Sequence, residues 1–114
     1  MANLSGHDSH GIGLLPAYVK HAVEGLVDVS ATPETIHDSG ALLKIAGHDA
    51  WGRMAGDFAM KAAFPKADAL GACVVTLSNA HHLGRIGAYG EMAAQAGFVA
   101  LFFVNVTDHD PMVA

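Results

Sequence analysis

The sequence predicts an α/β fold built on a strand–helix–strand (βαβ) unit with flanking helices. Three observations carry this. Ala72 to Leu77 is a β-branched apolar run, Phe98 to Val106 is a second such run, and the alanine-rich stretch Arg85 to Ala96 lies between them. Short continuous apolar runs suit buried strands, and a helix joining two of them implies a parallel pair with a right-handed crossover.

Each element has local support. After the punctuation of Gly11, Gly13 and Pro16, residues Tyr18, Val19, Ala22, Val23 and Leu26 fall at helical spacing. Pro16 suits a first helical turn, and Gly25 should end or weaken that helix. Glu34 to Ile45 reads as two short extended pieces with Asp38-Ser39-Gly40 as the turn between them. His48 to Leu70 is expected to be a second helix, with Trp51, Met54, Ala55, Phe58, Ala59, Ala62 and Ala63 as its apolar stripe. Pro65 should kink or break it, and Gly71 suits its C-cap. Ser78 to Gly84 then forms a loop, and Gly97 ends the third helix before the last strand.

Composition excludes several function classes. Of the 114 residues 52% are hydrophobic and 15% charged, which is the reverse of a disordered chain. Six Lys+Arg face eleven Asp+Glu, so no basic nucleic-acid binder is expected. The longest apolar run, Gly97 to Val104, falls far short of the roughly 20 residues of a membrane span. The start carries neither a basic nor an apolar leader region, so no secretory signal is expected. One cysteine excludes an intrachain disulfide framework and a thiolate zinc cluster. Cys73, in an apolar run, is expected to be a buried inert thiol, and the cytoplasm is the expected compartment.

The 8 histidines are the chemical feature of the chain. His7-Asp8-Ser9-His10-Gly11 brings two imidazoles, a carboxylate and a hydroxyl together ahead of a helix. Such a group suits general acid–base work, although Asp8 and Ser9 would equally serve as plain helix caps. Ser78 to Gly87 contains His81, His82 and Arg85 and lies between a strand and a helix. Ligands of open α/β sheets bind at the carboxyl ends of strands, and Arg85 can grip a carboxylate or phosphate there. The bland alternative is a surface loop with a solvated arginine. His21 reads as a plain helical surface residue, His37 and His48 belong to turns or edges, and His109-Asp110-Pro111 suits a turn. A metal shared by His7 and His10 with His81 or His82 has no HExxH or CxxC pattern behind it, and no metal is assigned. GxGxxG, Walker A and GxSxG patterns are absent, so neither a nucleotide site of the usual kinds nor a serine hydrolase is expected.

Two segments together resemble one family. Asn3 to Gly13 followed by Leu15-Pro16-Ala17-Tyr18-Val19 is similar to the N-terminal signature of the malate/L-lactate dehydrogenase-like oxidoreductases, which have a non-Rossmann α/β fold and use NAD(P). Asn79 to Tyr89 is similar to the second signature, an Asn-x-x-His-x-Gly loop, and Gly97 to Asn105 with Pro111 to Ala114 resembles the strand and turn that follow. The hydroxycarboxylate dehydrogenase B subgroup is the nearest likeness. The resemblance implies that residues 1–114 are a partial dehydrogenase domain, with the family pattern running beyond both ends.

What the resemblance implies can be placed on residues. The histidine of the Ser-His-Gly motif is a catalytic acid/base supported by its serine, which maps to His10 and Ser9. The histidine of the second loop acts as proton acceptor in some members and cofactor contact in others, which maps to His82, with His81 secondary. His82, Leu83, Gly84, Arg85 and Ile86 would lie along NAD or NADP. Many members carry a carboxylate-gripping arginine where this chain has Leu14, so Arg85 is expected to supply that cation. The implied reaction is hydride transfer between NAD(P) and a 2-hydroxyacid or 2-oxoacid in a homodimer. Two other readings compete: an inactive interaction module pairing with full-length subunits, and a small histidine-based metal-binding protein.

Overall fold

The computed structural model describes residues 3–6 and 10–105. The expectations for His7, Asp8, Ser9, Val106, His109 and the turn at Pro111 lie outside the described residues. The elements are α1 (Leu15–Val23), β1 (Glu34–Ser39), β2 (Leu42–Ala50), α2 (Gly52–Leu70), β3 (Val74–Ala80) and α3 (Gly87–Gln95), preceded by short 3-10 turns at Asn3–Ser5 and Ile12–Leu14.

The strands form one sheet in the order β1-β2-β3. β1 and β2 pair antiparallel, and β2 and β3 pair parallel. Thus an α/β fold with a βαβ unit is present, but the unit is β2–α2–β3, one step earlier than expected. The second expected strand, Phe98 to Val106, takes no regular structure over residues 98–105. A strand exists only where its backbone groups meet a ladder partner, and no described strand pairs with this run. Val99, Leu101 and Phe103 accordingly stand 96%, 82% and 94% exposed. β3, at the sheet edge, is likewise half-covered rather than buried, with Val74 exposed. Cys73 beside it is half-buried, and burial pushes its thiol pKa up, which keeps it protonated.

β2 is longer than the sequence pattern indicates and takes in His48 to Ala50, so α2 begins at Gly52. The cause is a bulge. Ala46 pairs with Ser78 and Ala50 with Ala80, so β2 has two residues more than β3 over this interval. His48 (φ 53°) and Asp49 (φ 59°) take up the surplus in the left-handed region. This irregular stretch breaks the period-2 alternation that would have marked it as strand. The hairpin turn is Gly40-Ala41 rather than Asp38-Ser39-Gly40.

Packing explains the helices. α2 runs unbroken through Pro65. Proline removes one helical N–H, but Pro65 lies on the exposed side, where water can satisfy the freed carbonyl. Gly71 caps α2 in the left-handed conformation, as expected. α1 ends at a Schellman turn: Leu26 N donates to the His21 carbonyl (2.9 Å) with Gly25 at φ 72°. The core lies between α2, α3 and the sheet. Leu43 and Ile45 of the central strand are each 1% exposed, α2 packs on the sheet and α3 on α2, and Ala55, Ala59, Ala88, Tyr89 and Ala93 are the buried hydrophobic residues of the two helices.

Candidate active site

Four pieces of chain bring rings to the carboxyl end of β3. His10 precedes the turn into α1. Tyr18 and His21, three apart, share a face of α1. Trp51 stands at the start of α2, and His81-His82 follow β3 directly. The His81 N–H donates to the Ala50 carbonyl (3.1 Å), which extends the β2–β3 register to the histidine pair.

The first turn of α2 then crosses this pair at close range. A Cβ on Gly52 would lie 2.0 Å from the His81 carbonyl oxygen and 2.3 Å from that of His82. Glycine is therefore required there sterically, and its absence of side chain sets how near α2 comes to the histidines.

The side chains form a continuous cluster. Tyr18 Oη and His82 Nδ1 are 2.8 Å apart, and His21 Nδ1 and His81 Nε2 are 2.7 Å apart. The His10 and His82 rings stack at 5.4 Å between centroids. His81 stands edge-on to Tyr18 (5.1 Å) and to Trp51 (5.5 Å). His82 is exposed, so with Nδ1 held by Tyr18 its Nε2 is the nitrogen open to a ligand.

Electrostatics favour neutral imidazoles. Burial lowers the pKa of His81 from 6.5, and the adjacent His21 and His82 push the same way. His82 is lowered by burial first, then by His10 and His21. Burial raises the Tyr18 phenol above its ordinary range, so it keeps its proton. Among the described residues, no three His, Cys, Asp or Glu side chains are placed to share a metal ion.

These shifts have a sign in stability. The folded chain protonates His81 and His82 less readily than the unfolded chain, so acid below the ordinary value of 6.5 favours unfolding. Their contribution is complete above 6.5 and is lost as pH falls through the lowered folded values. The melting temperature is expected to decline over this window, and His81→Asn should flatten the decline. Thermal melts from about pH 8 to about pH 5 check it. Equal slopes for the two proteins would contradict the assignment.

The structure brings His10 and His82 together, and His81 enters the cluster as a full member. Arg85 turns instead to α3, where its Nη2 bonds Glu91 Oε1 at 2.5 Å. Its side chain is 13% exposed, and its Nε is buried without a partner. The Leu83 carbonyl accepts from Tyr89 Oη (2.6 Å), which ties the loop to α3. Gly84 (φ 75°) and Ile86 complete the lead into that helix. Leu14 ends the turn before α1.

Three members were not legible as site residues. His21 is no plain surface residue: it is half-buried and bonded to a ring 60 residues away. Trp51 fits the apolar stripe of α2 and shows nothing else in sequence. Tyr18 and His21 do carry one local signal, polar rings three apart on a helix whose other residues, Lys20 apart, are apolar. His48, by contrast, pairs with Glu34 (3.3 Å) on the β1–β2 hairpin.

Comparison with known proteins gives the family of the chain. The family model described as malate/L-lactate dehydrogenase matches residues 1–114. Hydroxycarboxylate dehydrogenase B of Escherichia coli strain K12 is 43% identical over 99% of this chain and 31% of its own length. The L-lactate dehydrogenase of Cupriavidus necator is 43% identical over 96% of this chain and 31% of its own. Among solved structures, malate dehydrogenase from Pyrococcus horikoshii superposes with a TM-score of 0.80 at 33% identity, over 84% of this chain and 28% of that one. Sulfolactate dehydrogenase from Methanocaldococcus jannaschii gives 0.80 at 35%, over 82% and 27%. The chain therefore spans about a third of the length of the curated relatives it matches. Matched from its first residue to its last, with His10 and the His81-His82 pair gathered in one cluster, the chain belongs to the malate/L-lactate dehydrogenase family.

Proposed function

We propose that this chain carries the acid–base half of a dehydrogenase site that interconverts a 2-hydroxyacid and a 2-oxoacid. The observation that carries the proposal is the hydrogen bond between Tyr18 and His82 Nδ1, which leaves His82 Nε2 open beside His10. The names of the relatives (malate, L-lactate and sulfolactate dehydrogenases) support a small hydroxyacid as substrate.

His82 can exchange a proton with the substrate oxygen through Nε2. The Tyr18 hydroxyl suits both directions: it accepts from Nδ1–H of the imidazolium and of the neutral ring alike, which holds the neutral ring in the tautomer whose Nε2 is bare. His10, stacked on His82, with Ser9 before it, forms the second part of the acid–base group. Such a reaction needs a hydride partner, which a nicotinamide of NAD or NADP would supply when bound. The residues present fit that group. Among the described residues, no atom beyond its chain neighbours lies within 4 Å of where a Cβ of Gly84 would stand, so the loop backbone is open to a flat ring. The buried, unpartnered Nε of Arg85 is a donor suited to an anionic group. His82, Leu83, Gly84, Arg85 and Ile86 would hold it. Arg85 is also the cation proposed for the substrate carboxylate in place of the arginine missing at Leu14. A homodimer in the cytoplasm belongs to the same proposal, and the exposed run Val99, Leu101 and Phe103 supports a covering surface.

The test is oxidation of NADH or NADPH by 2-oxoacids with the full-length protein. Turnover is expected, and Arg85→Ala should raise KM for the oxoacid about 10-fold or more, the loss of one charge-assisted pair. Absence of nicotinamide binding, read by its fluorescence, would overturn the cofactor assignment. An unchanged KM would overturn the role of Arg85.

A further inference from the structure

We infer that His21 and His81 form a positioning pair for His82, in which His21 fixes the tautomer of His81 and the paired rings brace Tyr18. The inference rests on the proposed role of His82, but its geometry can be tested separately.

A single proton lies between His21 Nδ1 and His81 Nε2, 2.7 Å apart, because one nitrogen must donate and the other accept. The remaining nitrogen of His81, Nδ1, is buried without a partner. A buried N–H with no acceptor is the costlier alternative, as the rarity of orphaned donors indicates. His81 therefore carries its proton on Nε2 and donates it to His21 Nδ1, and His21 carries its own on Nε2. A proton on both facing nitrogens would break the bond, and the lowered pKa of His81 keeps its ring neutral.

The orientation set by this bond reaches His82. The His81 ring is perpendicular to Tyr18 (78°) and to Trp51 (87°), so it forms a wall against which the phenol rests. His21 stands edge-on behind His81 at 5.0 Å. The braced phenol in turn bonds His82 Nδ1. Among the described residues, the ionisable groups facing His81 are Tyr18 and His21 from α1 and His82 from its own loop. Among the described residues no carboxylate hydrogen-bonds either nitrogen of His81, so His21 takes the orienting role that a carboxylate would otherwise fill.

The test compares His21→Leu, which removes the bond, with His21→Asn, whose amide reaches the position of Nδ1. His21→Gln, whose amide lies one bond farther out, keeps polarity without the bond. Side-chain nitrogen NMR of the full-length protein reads the tautomer of each histidine, and steady-state kinetics reads kcat and KM. In the parent, His81 is expected as the Nε2–H tautomer. His21→Leu and His21→Gln should mix its tautomers and lower kcat about 3- to 10-fold, the effect of one hydrogen bond, with little change in KM. His21→Asn should restore both. A parent His81 protonated on Nδ1, or an unmixed tautomer in His21→Leu, would overturn the inference. Should His21→Leu not fold, His21→Gln and the parent spectrum still decide. Failure of the parent to turn over any oxoacid would count against the proposed reaction and leave the tautomer readout intact.

Discussion

Replacing His82 by alanine in the full-length protein is expected to lower kcat by about 10²–10⁴-fold, the usual contribution of a general acid–base group. The substitution removes a ring that is hydrogen-bonded at one nitrogen and exposed to a ligand at the other. His10→Ala should fall in the same range, since its ring stacks on His82. Tyr18→Phe keeps the ring that rests on His81 and removes only the hydroxyl, so a smaller loss of about 2- to 10-fold is expected. The order of the three effects is as informative as their size. If His82→Ala and His10→Ala both cost less than about threefold, neither histidine moves the proton.

Gly52→Ala is expected to damage stability and site together. The new methyl would meet two backbone carbonyl oxygens, at 2.0 and 2.3 Å, and a backbone cannot rotate away as a side chain can. Either α2 retreats from the sheet or the His81-His82 peptide shifts. Overpacking of this kind costs typically about 1–3 kcal/mol, and a clash with backbone on both sides belongs at or beyond the upper end. Chemical denaturation of parent and variant measures the loss. Kinetics of the surviving folded fraction should show reduced kcat, because a misplaced imidazole transfers its proton poorly. A variant within about 0.5 kcal/mol of the parent would mean that α2 does not press on the loop.

The parts of the fold that rest on local rules were readable from the sequence. The helical spacing of Tyr18, Ala22 and Val23, the proline at the start of α1 and the glycine after α2 each matched the structure. These signals work because capping and amphipathicity act over one or two turns of chain. The run Phe98 to Val104 shows the limit of that reasoning. Its residues are as strand-like as any in the sequence, yet strand formation depends on a neighbour, and none of the described strands pairs with it. At His48 and Asp49 the failure is the opposite: a helix-like stretch is taken into β2 because Ala50 pairs with Ala80 and the surplus residues bulge outward.

The site divides in the same way. By itself the sequence determined that His10 and His82 are the histidines to watch, through two motifs whose content and spacing resemble one family. It also placed His82 to Ile86 at the carboxyl end of a strand, where a ligand site is expected. Only the tertiary structure decided which rings meet. The hydroxyl on His82 comes from Tyr18, and the partner of His81 is His21, separated from them by 64 and 60 residues along the chain. A hydrogen bond between distant residues leaves no periodic trace in sequence, because its geometry is set by how α1 settles against the end of β3. The small residue at Gly52 and the bulge in β2 fix that end of the strand, and with it the position of both histidines.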